Sequence, residues 1–258
     1  MLQTAIEAAR RAGQVIVERY PDERDVTVKG HRDIVTDVDT AAEAIVLGMI
    51  RERFPDHAIL SEEAGSSTAS DGVGSGCTWI VDPLDGTTNY AHRIPIFSVS
   101  IGVWDGGGPL VGVVYDPLRD QMFVAERGGG SKFDGRPARA SRVADFGHTV
   151  VGMDWTRNDA GRRRVLACLG EIVPRCGVVR VLGSAALGLA YVAAGRLDAY
   201  FHLALKPWDA AAGALLVAEA GGRCTTLEGE PFRVDSPGCV ATNGLIHDEL
   251  LALMHDSK

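Results

Sequence analysis

The sequence predicts an α/β protein in which sheets and helices stack in layers. Three observations carry this. Apolar residues recur at helical spacing in two long segments of the first 54 residues. Residues 78–126 read as short apolar strands separated by glycine- and proline-bearing turns. From about residue 148, strand-like and helical segments alternate. The 258 residues, 46% apolar and 23% charged, suffice for one large domain or two intimate halves around a sizeable core. A seam is expected near residue 145, between an N-terminal half (1–145) and a C-terminal half (146–258) of one compact unit, because no linker separates them.

Residues 2–20 read as a helix with Leu2, Ile6, Ala9, Gly13 and Ile16 on one face, ended by Pro21. Residues 37–54 give a second helix. Ala42, Ile45, Val46, Met49 and Ile50 form its apolar stripe, Thr36 or Asp37 its N-cap, and Pro55 its stop. A short strand follows at 58–61, then the small polar segment GSSTASDGVGSG (65–76), expected to be a mobile loop. Strands are expected at 78–81, 97–103, 110–115 and 121–126, the last three as antiparallel neighbours, and residues 130–141 are turn-rich. Beyond them, strands near 148–153, 177–182 and 198–201 are spaced by helices near 159–170 and 184–195. Pro207 precedes a last apolar helix over 208–220.

Bulk features exclude several classes. No apolar run approaches the roughly 18 residues of a membrane span. Glu7, Arg10 and Arg11 interrupt any signal-peptide core. The five cysteines are odd in number and lack a Cys-x-x-Cys pair, which reads as reduced core thiols of a cytoplasmic protein. A net charge of −8 argues against nucleic acid as a partner, since phosphates need a basic face. Neither a membrane nor a nucleic acid is therefore expected as a partner. Clustered carboxylates point instead to a cation site.

Three acidic clusters stand at strand ends or a helix start: Glu62-Glu63, Asp82 with Asp85 in DPLDGTTN, and Asp209 in KPWDAAAG. Such edges are where α/β proteins assemble sites. Asp82 and Asp85 are close enough that one would protonate unless a cation lay between them, and hard oxygen donors select Mg²⁺, Mn²⁺ or Ca²⁺. If Gly86, Thr87 and Thr88 open a helical turn, their free N–H groups make an anion cradle beside that cation. Asp209 opens an almost wholly apolar helix, where a buried acid is more easily explained by a metal than by a simple cap. DVDT at 37–40 imitates an aspartyl-nucleophile phosphatase motif, but it follows only Ile34-Val35 rather than a buried apolar strand.

These segments together resemble the inositol monophosphatase family of Mg²⁺-dependent, lithium-sensitive phosphatases. WIVDPLDGTTNYAHRIPIFSVSIG (79–102) matches the family's first signature and KPWDAAAGALLVAEAGG (206–222) its second. ILSEEAG (59–65), KGHRDIVTDVDTAAE (29–43) and GVVRVLGSAALGLAYVAAGRLDAY (177–200) match further segments in order. The resemblance implies a layered αβαβα sandwich, usually a homodimer, acting on a small phosphorylated sugar or polyol. Two to three Mg²⁺ ions are implied, with Mn²⁺ able to substitute. Glu62, Asp82 and the Leu84 carbonyl would hold the first ion, and Asp82, Asp85 and Asp209 the second. A third would sit near Glu62. Asp39 and Thr87, with Glu62, would form the catalytic group that activates water, and the Gly86 and Thr87 amides would hold phosphate. Ser184 and Ala185 would line the sugar side, with Asp85, His202 and Asp209 completing the substrate contacts. Lys29 would lie on an N-terminal flap.

His202 stands where inositol-specific members carry a glutamate, and an imidazole cannot act as a purely accepting carboxylate. Relatives cleave fructose bisphosphate, histidinol phosphate, NADP or adenosine bisphosphates, and some bacterial ones serve as RNA- or transcription-associated regulators. DGTTN and KPWDAAAG favour the inositol-phosphatase branch. Arg162-Arg163-Arg164 is either a solvated helix face or a contact to a second phosphate, and Arg180 reads as structural.

Overall fold

The computed structural model describes residues 1–23, 25–67 and 76–256. Residues 68–75, most of the segment expected to be a loop, lie outside the described residues; residues 65–67 are a short strand.

Two helices cover the outer face of the first sheet: α1 (Leu2–Arg19) and α2 (Asp37–Arg53). The buried stripe of α1 is Thr4, Ala5, Ala8, Ala9, Ala12, Gly13 and Ile16, so it is narrower in side chain than expected. Leu2 and Ile6 lie at its margin. Between these helices runs an antiparallel hairpin that periodicity did not reveal, β1 (Val26–Gly30) and β2 (Asp33–Thr36). β1 is fully exposed, so it carries no buried apolar signal.

The first sheet has eight strands. They are β3 (Ala58–Ser61), β4 (Gly65–Ser67), β5 (Thr78–Asp85), β6 (Ser98–Asp105), β7 (Gly108–Asp116), β8 (Gln121–Glu126), β9 (Gly130–Phe133) and β10 (Arg136–Pro137). Their order is β10-β9-β8-β7-β6-β5-β3-β4, antiparallel except for β3 beside β5. A short helix, α3 (Thr87–Ala91), follows β5. The second sheet has five strands: β11 (Val150–Met153), β12 (Val178–Val181), β13 (Ala199–His202), β14 (Arg223–Thr225) and β15 (Cys239–Thr242), in the order β12-β11-β13-β15-β14. Its helices are α4 (Asp159–Ile172), α5 (Ala185–Ala193), α6 (Pro207–Glu219) and α7 (His247–Asp256).

Three cores define five layers. The first joins α1 and α2 to Trp79, Val81, Val99 and Ile101 of the eight-stranded sheet. The second sandwiches α5 and α6 between Val114 and Phe123 of that sheet and Tyr200 and Ala241 of the other. The third packs α4 and α7 on Val151, Phe201 and Val240. The architecture is therefore the αβαβα sandwich, because each sheet is apolar on both faces and needs a helical layer on each side.

The middle layer fixes the site. α6 lies directly on β6 and β7, where Gly102 and Gly112 face each other across the strands. A Cβ on Gly102 would stand 2.9 Å from the Ala211 Cβ, and one on Gly112 2.5 Å from the Ala212 carbonyl oxygen. Only glycine allows so close an approach of helix to sheet.

Candidate active site

The carboxylates meet because of a bulge. β5 and β6 pair regularly to Asp82↔Ser100, then resume at Asp85↔Ser98, so the β5 side carries one extra residue. Residues three apart in a regular strand face opposite ways. The extra residue at Pro83-Leu84 returns Asp85 to the side of Asp82, and both line one cavity of about 700 Å³. Gly86 then takes the left-handed conformation (φ 99°), with the Ile96 and Gly183 carbonyl oxygens 3.0 and 3.1 Å from where a Cβ would be. α3 begins there, and its Asn89 amide donates to the carbonyls of Ile96 and Leu182, both at 2.8 Å. That links the strand end to the start of α5.

Asp85 accepts from Ser98 Oγ (3.0 Å), from Ser184 Oγ, and from the Ala185 and Ala186 amides (both 3.0 Å) at the start of α5. Burial still raises its pKa against these donors. Asp82, 2% exposed, accepts only the Leu84 amide, at 3.1 Å, among the described residues. Burial, then the charges of Glu62, Asp85, Asp209 and Asp39, push its pKa well above the ordinary value. Glu62 follows β3 on a turn pinned by a buried acid, Glu43, whose Oε1 accepts from Ser61 Oγ and from the Glu63 and Ala64 amides (both 3.1 Å). Lys29 Nζ from the hairpin reaches Glu62 at 3.2 Å and Glu63 at 2.6 Å. Burial opposes the Lys29 charge, but the two glutamates outweigh it and hold its pKa above the ordinary value.

Asp39 and Asp209 share one device. Each is the third residue of its helix, and one oxygen caps the helix start. Asp39 Oδ2 accepts from the Thr36 amide at 2.9 Å and Thr36 Oγ1 at 2.5 Å; Asp209 Oδ2 accepts from the Lys206 amide at 2.7 Å. The second oxygen of Asp39 accepts from Thr87 Oγ1 at 2.8 Å. Asp209 keeps part of its surface on the cavity, yet burial, with Asp85 and Glu62 nearby, pushes its pKa up to about 7. Burial also raises Asp39, partly offset by Thr36 and Thr87.

The opposite wall comes from the segment after β11 and from the β1–β2 turn. Arg157 pairs with Asp33 (2.6 Å), Arg32 pairs with Asp159 (2.7 Å), and Arg32 also donates to the Arg157 carbonyl (2.8 Å). These contacts join hairpin and C-terminal half across the mouth. His202 lines the wall with its Nδ1 committed. Nδ1 accepts from the Ala204 amide at 3.0 Å. Burial lowers its pKa to about 4, so the ring is neutral at pH 7.

A model of the inositol monophosphatase family matches residues 1–258. The chain belongs to the inositol monophosphatase family. Among relatives, the Nus factor SuhB of Escherichia coli K12 is 41% identical over 259 residues, covering 99% of this chain and 96% of the relative. Inositol monophosphatase 1 of Solanum lycopersicum is 36% identical, covering 94% and 90%. The crystal structure of the extragenic suppressor protein suhB from Bartonella henselae superposes with a TM-score of 0.93 at 35% identity, covering 98% of this chain and 97% of that one.

For this family member, Glu62, Asp82, Leu84, Asp85, Gly86, Thr87, Ser184, Ala185, His202 and Asp209 all line the one cavity. Asp39 lies behind Thr87, and Lys29 reaches in from the hairpin. Ser184 and Ala185, expected against a sugar, hold Asp85. Arg163 and Arg164 are solvated, whereas Arg162 is half-buried on the cavity wall. Arg180 is exposed on edge strand β12. Sequence reasoning passed over Glu43, Ser98, Asp154, Trp155 and Arg157. Glu43 had a signal, an acid inside the apolar stripe of α2 four residues after Asp39; the others had none.

Among the described residues no three acidic, histidine or cysteine side chains form a finished metal-ligand group. The donor set nevertheless fits a hard divalent cation: Glu62, Asp82, Asp85, Asp209 and the Leu84 carbonyl offer oxygen only. The buried charge of Asp82 has no cationic side chain bonded to it among the described residues, and a carboxylate so placed favours a bound cation.

Proposed function

We propose that this chain is a Mg²⁺-dependent phosphomonoesterase for small sugar or polyol phosphates, inositol monophosphates foremost, working as a homodimer in the cytoplasm. The observation that carries the reading is the meeting of four carboxylates on one cavity beside the Thr87–Asp39 pair at 2.8 Å. Glu62, Asp82, the Leu84 carbonyl, Asp85 and Asp209 would hold the ions, with Mn²⁺ able to substitute. Bound there, divalent cations neutralise the phosphate dianion and lower the pKa of a water.

The chain's own residues do the rest. Thr87 Oγ1 donates to Asp39, which leaves its lone pairs to accept a hydrogen from the attacking water. Asp39, its proton affinity raised by burial, receives the proton passed through Thr87. The Gly86 and Thr87 amides at the start of α3 cradle the phosphate oxygens. Glu43, by pinning the turn after β3, keeps Glu62 directed at the cavity. No side chain is assigned as a covalent nucleophile. The test is phosphate release from inositol 1-phosphate, fructose 6-phosphate, histidinol phosphate and NADP, with and without Mg²⁺, in the wild type and in Asp82→Asn. Release that needs Mg²⁺ and is lost in the variant supports the reading, as does inhibition by lithium. Turnover unchanged in Asp82→Asn rejects it.

A second reading rests on the relatives named Nus factor: the chain acts in transcription. A stoichiometric RNA or RNA-polymerase complex that survives Asp82→Asn would favour it over a purely enzymatic role.

A further inference from the structure

The cavity is electrically divided. Its floor is acidic, while its outer wall carries Arg32, Arg157, Arg162 and Lys206. Two of these are neutralised by neighbours, Arg32 by Asp159 and Arg157 by Asp33. Arg162 is not: among the described residues it has no carboxylate partner. Its Nε donates to the Thr156 carbonyl at 2.9 Å, and its guanidinium lies 5.9 Å from the centre of the Trp155 ring. The ring and the carbonyl fix the direction of the fork, and among the described residues the remaining N–H groups have no protein acceptor. A half-buried, oriented, uncompensated guanidinium on a cavity wall is matched by an anion. The scissile phosphate is not that anion, since under the reading above it sits at the floor between the metal ligands and α3. His202 Nδ1, on the same wall, is occupied by the Ala204 amide.

We propose that Arg162, held by Trp155 and Thr156, is a specificity-determining residue that receives a second anionic group, a carboxylate or a second phosphate, at the far end of the substrate. This deepens the phosphatase reading and rests on it for the orientation of the ester.

The experiment compares hexose-sized esters that differ at the distal end. Glucose 6-phosphate against 6-phosphogluconate tests the carboxylate; fructose 6-phosphate against fructose 1,6-bisphosphate tests the phosphate. The wild type is expected to favour the doubly anionic member of at least one pair by about 10-fold or more in kcat/KM, the worth of one charge-assisted hydrogen bond. Arg162→Gln is expected to bring that ratio close to one, and Arg162→Lys to keep part of it. Structural damage lowers both members of a pair alike and leaves the ratio standing, so an unchanged ratio in Arg162→Gln overturns the proposal. So does a wild-type ratio near one in both pairs. If no ester is hydrolysed, the phosphatase reading fails by itself. Calorimetric titration of the same esters with Mg²⁺ then reads the ratio from binding, with the same outcomes.

Discussion

The floor and the mouth of the cavity are built by opposite means. At the floor, each acid is held by backbone amides or hydroxyls: Asp85 by Ser98, Ser184 and the start of α5, Asp209 by the start of α6, Asp39 by the start of α2. Lys29 at the edge of Glu62 is the one ammonium bonded to any of these acids among the described residues. At the mouth, charges are settled pairwise with at least one partner of each pair in solvent, Arg157 with Asp33 and Arg32 with Asp159. The floor therefore gathers carboxyls with few counter-charges, which raises their proton affinity and costs stability. The mouth holds its geometry at little gain, since exposed pairs contribute about 0–1 kcal/mol.

The comparison can be broken most severely at the floor. Asp82→Asn is expected to lower kcat/KM with Mg²⁺ by about 10³-fold. The same change should raise the melting temperature of the metal-free protein at neutral pH, because it removes a carboxyl whose ionisation is opposed by burial and by Glu62, Asp85 and Asp209. Paired phosphate-release assays and thermal melts in chelator check both halves. A variant less stable than the wild type would show the floor to be better compensated than its partners suggest.

Thr87→Ala should cost about 10²-fold or more in kcat with a small change in KM, and Thr87→Ser should restore most of it, since only the hydroxyl reaches Asp39. Equal losses in both variants would make the residue a packing element.

Asp154 sharpens the contrast through pH. It accepts from the Gly183 amide at 2.6 Å and the Tyr200 hydroxyl at 2.9 Å, and burial pushes its pKa from 3.8 up to about 6. A folded pKa above the unfolded one contributes stability that is complete below about pH 4 and is lost as pH rises through about 6. The shift corresponds to about 3 kcal/mol. Asp154→Asn, neutral throughout, should therefore gain on the wild type by about that amount between pH 4 and pH 8, read from denaturant melts at each pH. A difference that stays flat would mean Asp154 is already ionised at pH 4.

The smallest effect belongs to the mouth. Asp159→Asn, which frees Arg32, should change stability by under about 1 kcal/mol, and by less in 0.5 M salt. A double-mutant cycle with Arg32→Gln measures the coupling.

The same division decides what the sequence made legible. The floor was readable because its acids sit at fixed places relative to apolar strands and helix starts, and those periods survive in one dimension. How Asp82 and Asp85 share a side was not readable, because it depends on a bulge against β6. The β1–β2 hairpin escaped because β1 buries nothing. β14, β15 and α7 went unread, although Leu250, Leu251, Leu253 and Met254 are a helical apolar run with its core face buried. The mouth was illegible for a deeper reason: Arg157 and Asp33 stand 124 positions apart, and nothing local in either marks the other.

Gly102 and Gly112 give the acidic floor a remote control. The reach of the Asp209 carboxylate depends on how deeply α6 beds into the strands beneath it. That depth is set by two hydrogen atoms where other residues carry carbon. An alanine at Gly112 would act as a shim one methyl thick, 2.5 Å from the Ala212 carbonyl oxygen, and the rod would have to lift to admit it. Under the proposed function, affinity for a divalent ion would thus be tuned from a position that never meets one.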